Sequence, residues 1–201
     1  MKEGLLLYIL YLLVTIRIVI TIFSKKISAA WKSVIKEYID SFIVAGILAI
    51  LIITYVARSF YIPSESMLPT LKVNDYILVN RFVYKMALPS RGEIIVFHPP
   101  HVKDPANTDF IKRVVALEND VVEVADGVLY LNGIPQNEPF IKEPIDADFP
   151  AYRVPKGHVF VMGDNRNNSD DSRYWGPLPL ENIVGKAFVI FWPVSRMGLL
   201  K

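Results

Sequence analysis

Apolar positions change their period once along the chain. Up to about residue 61 they form long runs or recur at helical spacing, and from about residue 76 they come in blocks of four to eight that read as strands. Gly4 to Phe23 is an apolar run of 20 residues interrupted by Arg17, long enough for a membrane-crossing helix. Arg17 lies six residues from Phe23, about 9 Å along a helix, within snorkelling reach of that surface. A cleaved secretory leader is the competing account. The run is too long for one, and Lys25 and Lys26 follow it where a small-residue cleavage site belongs. Phe42 to Ala57 forms a second run. Asp40 and Arg58 bracket about 27 Å of helix there, and Phe60, Tyr61 and Ile62 extend it as an interfacial belt. A buried helix of a soluble domain is the alternative. Between the runs, Lys25, Lys26, Lys32 and Lys36 assign residues 24–41 to the cytoplasm and both termini to the outside. Ile27, Trp31, Val34, Ile35, Tyr38 and Ile39 recur at helical spacing there and predict an amphipathic helix on the inner surface.

The rest of the chain is written for a sheet. Tyr76–Val79, Glu93–Phe97, Phe110–Leu117, Val121–Val124, Val128–Leu131, His158–Met162 and Ala187–Phe191 read as short strands. Asp126-Gly127 and Asn132-Gly133 carry two-residue hairpin chemistry. Pro99 to Thr108 and Pro139 to Pro155 read as surface loops without a catalytic role. The expectation is a mostly β, antiparallel domain over residues 62–201 behind a two-helix membrane anchor over 1–61, with spans at about 4–23 and 42–57.

Composition narrows the chemistry. A net charge of +2 without a long basic run gives no reason to expect nucleic acid. Without cysteine there is neither a disulfide framework nor a thiolate metal site. His98, His101 and His158 lack metal-binding helical spacing, so no metal or cofactor is expected.

Two stretches carry candidate chemistry. In Ile62-Pro63-Ser64-Glu65-Ser66-Met67-Leu68-Pro69-Thr70-Leu71 two prolines fix φ at each end of a turn that presents Ser66, although the same composition also suits a plain linker. In Asp109-Phe110-Ile111-Lys112-Arg113-Val114-Val115 a lysine sits inside an apolar strand. A serine becomes a nucleophile when a neighbour takes its proton, and a lysine does so when desolvation brings its pKa from near 10.4 to roughly 7 to 8, which corresponds to about 4 kcal/mol. The same pattern also suits a half-buried strand with the ammonium in water.

The Ser66 segment, the box Arg91-Gly92-Glu93-Ile94-Ile95-Val96-Phe97, the Lys112-Arg113 strand, and the run Gly163-Asp164-Asn165-Arg166-Asn167-Asn168-Ser169-Asp170-Asp171-Ser172-Arg173-Tyr174-Trp175-Gly176 together resemble the ordered motifs of bacterial type I signal peptidases. That resemblance spans about Trp31 to the C-terminus. It implies a membrane-bound Ser-Lys serine endopeptidase on the extracytoplasmic face of the cell membrane, multi-pass, that removes signal peptides from exported preproteins next to lipid and the export translocase. It assigns Ser66 as nucleophile, Lys112 as general base, Ser169 as the hydroxyl that orients the lysine, and the Ser66 N–H with the Ser64 hydroxyl as oxyanion hole. Ile62, Pro63, Met67, Leu71, Phe110 and Ile111 would line shallow pockets for alanine-sized side chains. Gly163 and Asp164 would supply a tight turn, braced by Asp171 and Arg173. The sequence departs from the family pattern at Ala116-Leu117-Glu118-Asn119-Asp120, often Gly-Leu-Pro-Gly-Asp, and at Phe110 and Asn167, where tyrosine and aspartate occur. A membrane-tethered β-domain that binds extended peptides by strand addition without cutting them is the reading from another class. The distance between Ser66 and Lys112 separates the two.

Overall fold

The computed structural model describes residues 8, 11, 12, 14–19, 29–51, 57–102 and 109–200. It divides into two units, Met1–Val56 and Ala57–Lys201. In the first, the described residues between 8 and 19 are helical, and a single helix, α1, runs over Ala29–Leu51. The predicted surface helix and the start of the second span are therefore one unbroken element through Asp40. Arg17 bonds Asp40 with both nitrogens of one edge, Nη2 donating to Oδ2 at 3.2 Å. No helix among the described residues is long and apolar enough to cross a membrane. Much of the expected spans, at 4–7, 9–10, 13, 20–23 and 52–56, lies outside the described residues, as do Lys25, Lys26 and Ile27.

The second unit begins earlier than residue 62. Ala57–Tyr61 is strand β1, paired antiparallel with β2 (Tyr76–Asn80), so Phe60 and Tyr61 belong to a sheet edge and Ile62, 2% exposed, to a core. The remaining strands are β3 (Ile94–Phe97), β4 (Phe110–Ala116), β5 (Val121–Ala125), β6 (Val128–Leu131), β7 (Ile134–Pro135), β8 (Phe149–Arg153), β9 (His158–Met162), β10 (Leu178–Pro179), β11 (Ile183–Trp192) and β12 (Gly198–Leu199). A one-turn helix, α2 (Ser172–Trp175), precedes β10. Every predicted strand is present. The larger sheet has the order β1-β2-β11-β3-β4-β9-β10 with β12 on β11, and the smaller one β7-β6-β5-β8.

The pattern of burial explains the register. β3 and β4 are interior strands whose residues are buried on both faces, which is why they read as continuous apolar runs. Ile94 and Val96 pack with Ile62, Met67, Leu71, Ile77 and Val79 on one face, while Ile95 and Phe97 pack with Val114, Val159 and Val161 on the other. A third cluster, including Val115, Val122, Leu129 and Phe160, joins the two sheets. Both predicted hairpin turns are left-handed at their two central residues, with Asp126 and Gly127 at φ 50° and 79° and Asn132 and Gly133 at 54° and 78°. β8 corrects the reading of 139–155 as loop. It is an edge strand, where Pro150 removes no shared ladder bond. In the altered turn after β4, Asn119 takes φ 69° and the Asp120 carboxylate accepts from the Leu117 N–H at 2.8 Å and from Arg91 Nε at 3.0 Å. A residue that tolerates left-handed backbone thus stands in the turn, and a side chain closes it.

Candidate active site

Ser66 sits in the turn after β1, and four local bonds shape that turn. Leu68 N donates to Glu65 O at 3.1 Å, Leu71 N to Met67 O at 2.9 Å, Ile62 N to Asp75 O at 2.9 Å and Asn74 N to Ile62 O at 3.0 Å. The segment after β9 holds it from behind. Asn165 N donates to Ser66 O at 3.1 Å and Asn165 Nδ2 to Glu65 O at 3.0 Å. Gly163 is required by contact: a Cβ there would stand 2.4 Å from Ser66 O and 2.3 Å from Ser169 Oγ. The predicted tight turn is therefore a close approach of two backbones.

Lys112 projects from β4 with its residue 4% exposed. Its Nζ lies 2.9 Å from Ser66 Oγ and 3.1 Å from Ile111 O, and 5.3 Å from the centre of the Phe110 ring. Burial pulls its pKa down to about 8, and the opposing attraction of Asp171, Asp170 and Asp164 does not cancel that effect. Ser64 Oγ stands 3.3 Å from Ser66 Oγ. Ser169 Oγ is brought to the same place, against Gly163, but it is a buried hydroxyl without a hydrogen-bond partner, and no bond joins it to Lys112.

The next residue on the strand is a buried cation of another kind. Arg113 Nε and Nη2 donate to Asp164 Oδ1 and Oδ2 at 2.8 and 2.7 Å, its Nη1 donates to Gly92 O at 2.7 Å, and its guanidinium lies 4.0 Å over the Phe140 ring. Thr70 Oγ1 donates to the same Asp164 at 2.5 Å, which ties the far end of the serine turn to this pair. Asp171 and Arg173 form the expected brace, with Nε and Nη2 donating to Oδ1 and Oδ2 at 2.9 Å each. Asp171 is extended and caps α2, in which Arg173 lies, while its Oδ2 also accepts from Gly163 N at 3.1 Å. Arg166, which the sequence left without a role, makes a buried bidentate pair with Glu138 at 2.6 and 2.7 Å and donates from Nε to Gly163 O at 3.0 Å. No short-range pattern marks a partner 28 residues away.

A cleft of about 690 Å³ opens over the pair. Ile62, Pro63, Phe110 and Ile111 line it with Ser64, Ser66 and Lys112, as expected. Met67 and Leu71 do not. Both are 0% exposed and belong to the core, because the turn folds them inward onto Ile77 and Val79. Phe60, Tyr61, Val73 and Val96 take their place in the lining, joined by Glu65, Asp109, Asn168 and Asp170. The signal for Val96 was available in principle, since it is the cross-strand partner of Ile111. No group of side chains suited to a metal ion occurs among the described residues.

Comparison with known proteins gives the family. The family described as signal peptidase, peptidase S26, matches residues 35–192. A probable signal peptidase I-1 of Synechocystis is 50% identical over 170 residues, covering 83% of this chain and 87% of that protein. A signal peptidase I of Leptolyngbya laminosa is 46% identical over 172 residues, covering 84% and 85%. The chloroplastic thylakoidal processing peptidase 1 of Arabidopsis thaliana is 42% identical over 173 residues, covering 83% of this chain and 51% of that protein. The relatives are peptidases by name. The chain belongs to the signal peptidase family, peptidase S26.

Proposed function

We propose that this chain removes signal peptides from exported preproteins by acyl transfer through Ser66 and Lys112. The observation that carries the reading is the 2.9 Å approach of a desolvated lysine amine to a hydroxyl in an open cleft. Neutral Lys112 takes the Ser66 proton while Oγ attacks the carbonyl of the small residue that ends the signal peptide. The Ser66 N–H and the Ser64 hydroxyl receive the developing oxyanion, each such donor contributing about 2.7 to 4 kcal/mol. The carbon–nitrogen bond then breaks, the lysine ammonium protonates the leaving amine, and an ester joins the signal peptide to Ser66. Lys112 next deprotonates a water that hydrolyses the ester. Ser169 supplies the hydroxyl that orients the lysine. Its buried Oγ has no hydrogen-bond partner among the described residues, and burying a polar group unpaired costs about 1 to 3 kcal/mol.

Ile62, Pro63, Phe110 and Ile111 supply the walls that admit alanine-sized side chains. Walls of this kind reject bulk sterically. Gly163, Asp164, Asp171 and Arg173 support the turn.

The first unit serves as the membrane anchor, with spans at about 4–23 and 42–57, a cytoplasmic linker at 24–41, and the β unit on the extracytoplasmic side beside lipid and the export translocase. Supporting this, Tyr11, Leu12, Ile18, Phe42, Val44 and Leu48 leave apolar side chains exposed at 47 to 72%.

The test uses a peptide with alanine at the first and third positions before the cut, against a control with bulky residues there. Cleavage of the first alone, abolished by Ser66→Ala and by Lys112→Ala, is the expected result. Near-normal turnover in either variant ends this account, and retention of uncut peptide by wild type points instead to a strand-adding binder.

A further inference from the structure

Three carboxylates bear on Lys112, and each would raise its affinity for a proton: Asp171, Asp170 and Asp164. Two are fully occupied elsewhere. Asp164 gives both oxygens to Arg113, and Asp171 gives both to Arg173 while also accepting from Gly163 N. Neither can turn towards the lysine without abandoning a buried guanidinium. Asp170 is different. Its side chain is 55% exposed, it lines the cleft beside Lys112, and the described group that engages it is His101, whose Nε2 lies 3.3 Å from Asp170 Oδ2.

His101 is itself held by rings. It stacks on Trp175 at 5.6 Å and 21°, and meets Phe110 edge-on at 5.9 Å, the same ring that stands 5.3 Å from the Lys112 amine. One imidazole therefore touches both the loose carboxylate and the apolar wall beside the lysine. The other charged groups of the cleft are Glu65 and Asp109, the latter with His98 Nδ1 at 3.1 Å.

We propose that His101 is a positioning residue for Lys112, keeping the Asp170 carboxylate engaged away from the amine and closing the wall that Phe110 forms beside it. The inference rests on the proposed Ser66-Lys112 chemistry and adds a residue from a segment, 99–108, whose sequence gave no reason to connect it with the site. Without His101, Asp170 is released towards the ammonium and water gains the Phe110 wall. Both effects favour the charged lysine. Removing the Asp170 charge acts the other way.

The experiment is the pH dependence of kcat/KM for the full chain and for His101→Ala, His101→Gln, Asp170→Asn and the double variant His101→Ala/Asp170→Asn. The acidic midpoint is expected to rise by roughly half a pH unit in His101→Ala and to fall by a similar amount in Asp170→Asn. In the double variant it should stay close to Asp170→Asn, because the histidine acts largely through that carboxylate. His101→Gln, which retains a donor for Asp170, should restore most of the wild-type midpoint. An unmoved midpoint in His101→Ala, or shifts that simply add in the double variant, overturns the proposal. The Lys112 amine is titrated in parallel by nitrogen NMR, its signal identified by its loss in Lys112→Met. That readout needs no substrate, so a chain that cleaves nothing defeats the proposed function while the amine still decides the role of His101.

Discussion

Lys112 and Arg113 are consecutive cations on β4, both almost fully buried, and they meet opposite fates. Arg113 is locked to Asp164 by two parallel hydrogen bonds, stacked on Phe140 and bonded to Gly92 O, so its charge is matched where it stands. Lys112 has a hydroxyl and a carbonyl for neighbours and no carboxylate in contact among the described residues, and burial lowers its pKa to about 8. The two groups differ in kind as well as in partners: a guanidinium does not deprotonate and must be paired where it is buried, whereas a buried ammonium can lose its proton. The arginine takes both oxygens of Asp164, one of the acids whose attraction opposes the fall in the lysine pKa.

The largest effect should come from making the lysine resemble its neighbour. Lys112→Arg retains a cation that cannot deprotonate, so turnover should fall by about 10⁴-fold or more, the scale seen when a catalytic group is removed from a serine protease. Steady-state peptide cleavage reads this, and a variant within tenfold of wild type would dissolve the distinction between the two cations. Next, Asp164→Asn strands the Arg113 charge and should cost about 3 to 5 kcal/mol of stability, measured as a shift of the denaturant midpoint. Gly163→Ala should lower kcat by about 10²-fold, because a Cβ 2.4 Å from Ser66 O forces the nucleophile turn to move by a fraction of an ångström to an ångström. The smallest and sharpest effect is in wild type. Because the folded lysine pKa is depressed, the active neutral form is lost as pH falls, so kcat/KM should drop tenfold per unit below about 8 and level off above it. A profile flat from pH 6 to 9 would contradict the assignment of Lys112 as the base.

Much of this was legible in the residues. The continuous apolar runs of β3, β4 and β9 and the two hairpin dipeptides marked the sheet, and a lysine inside such a run marked the desolvated amine. What escaped has physical reasons. Ala57–Tyr61 follows an apolar run directly, so its five alternating residues read as the end of a helix. β8 carries Pro150 and is mostly exposed, since an edge strand needs neither continuous donors nor apolar faces. The resemblance places Met67 and Leu71 among the pocket residues, but an apolar residue beside a nucleophile can face either way, and only the turn geometry sends these two inward. Glu138 with Arg166, Thr70 with Asp164 and His101 with Asp170 are pairs formed by long-range convergence, which no local spacing encodes.

The guanidinium of Arg113 has one more consequence. It gathers groups from residues 70, 92, 140 and 164, four stations spread over almost half of the chain. A change at any one of these stations is therefore felt at the other three, because all of them lean on a single charge that has no water to fall back on.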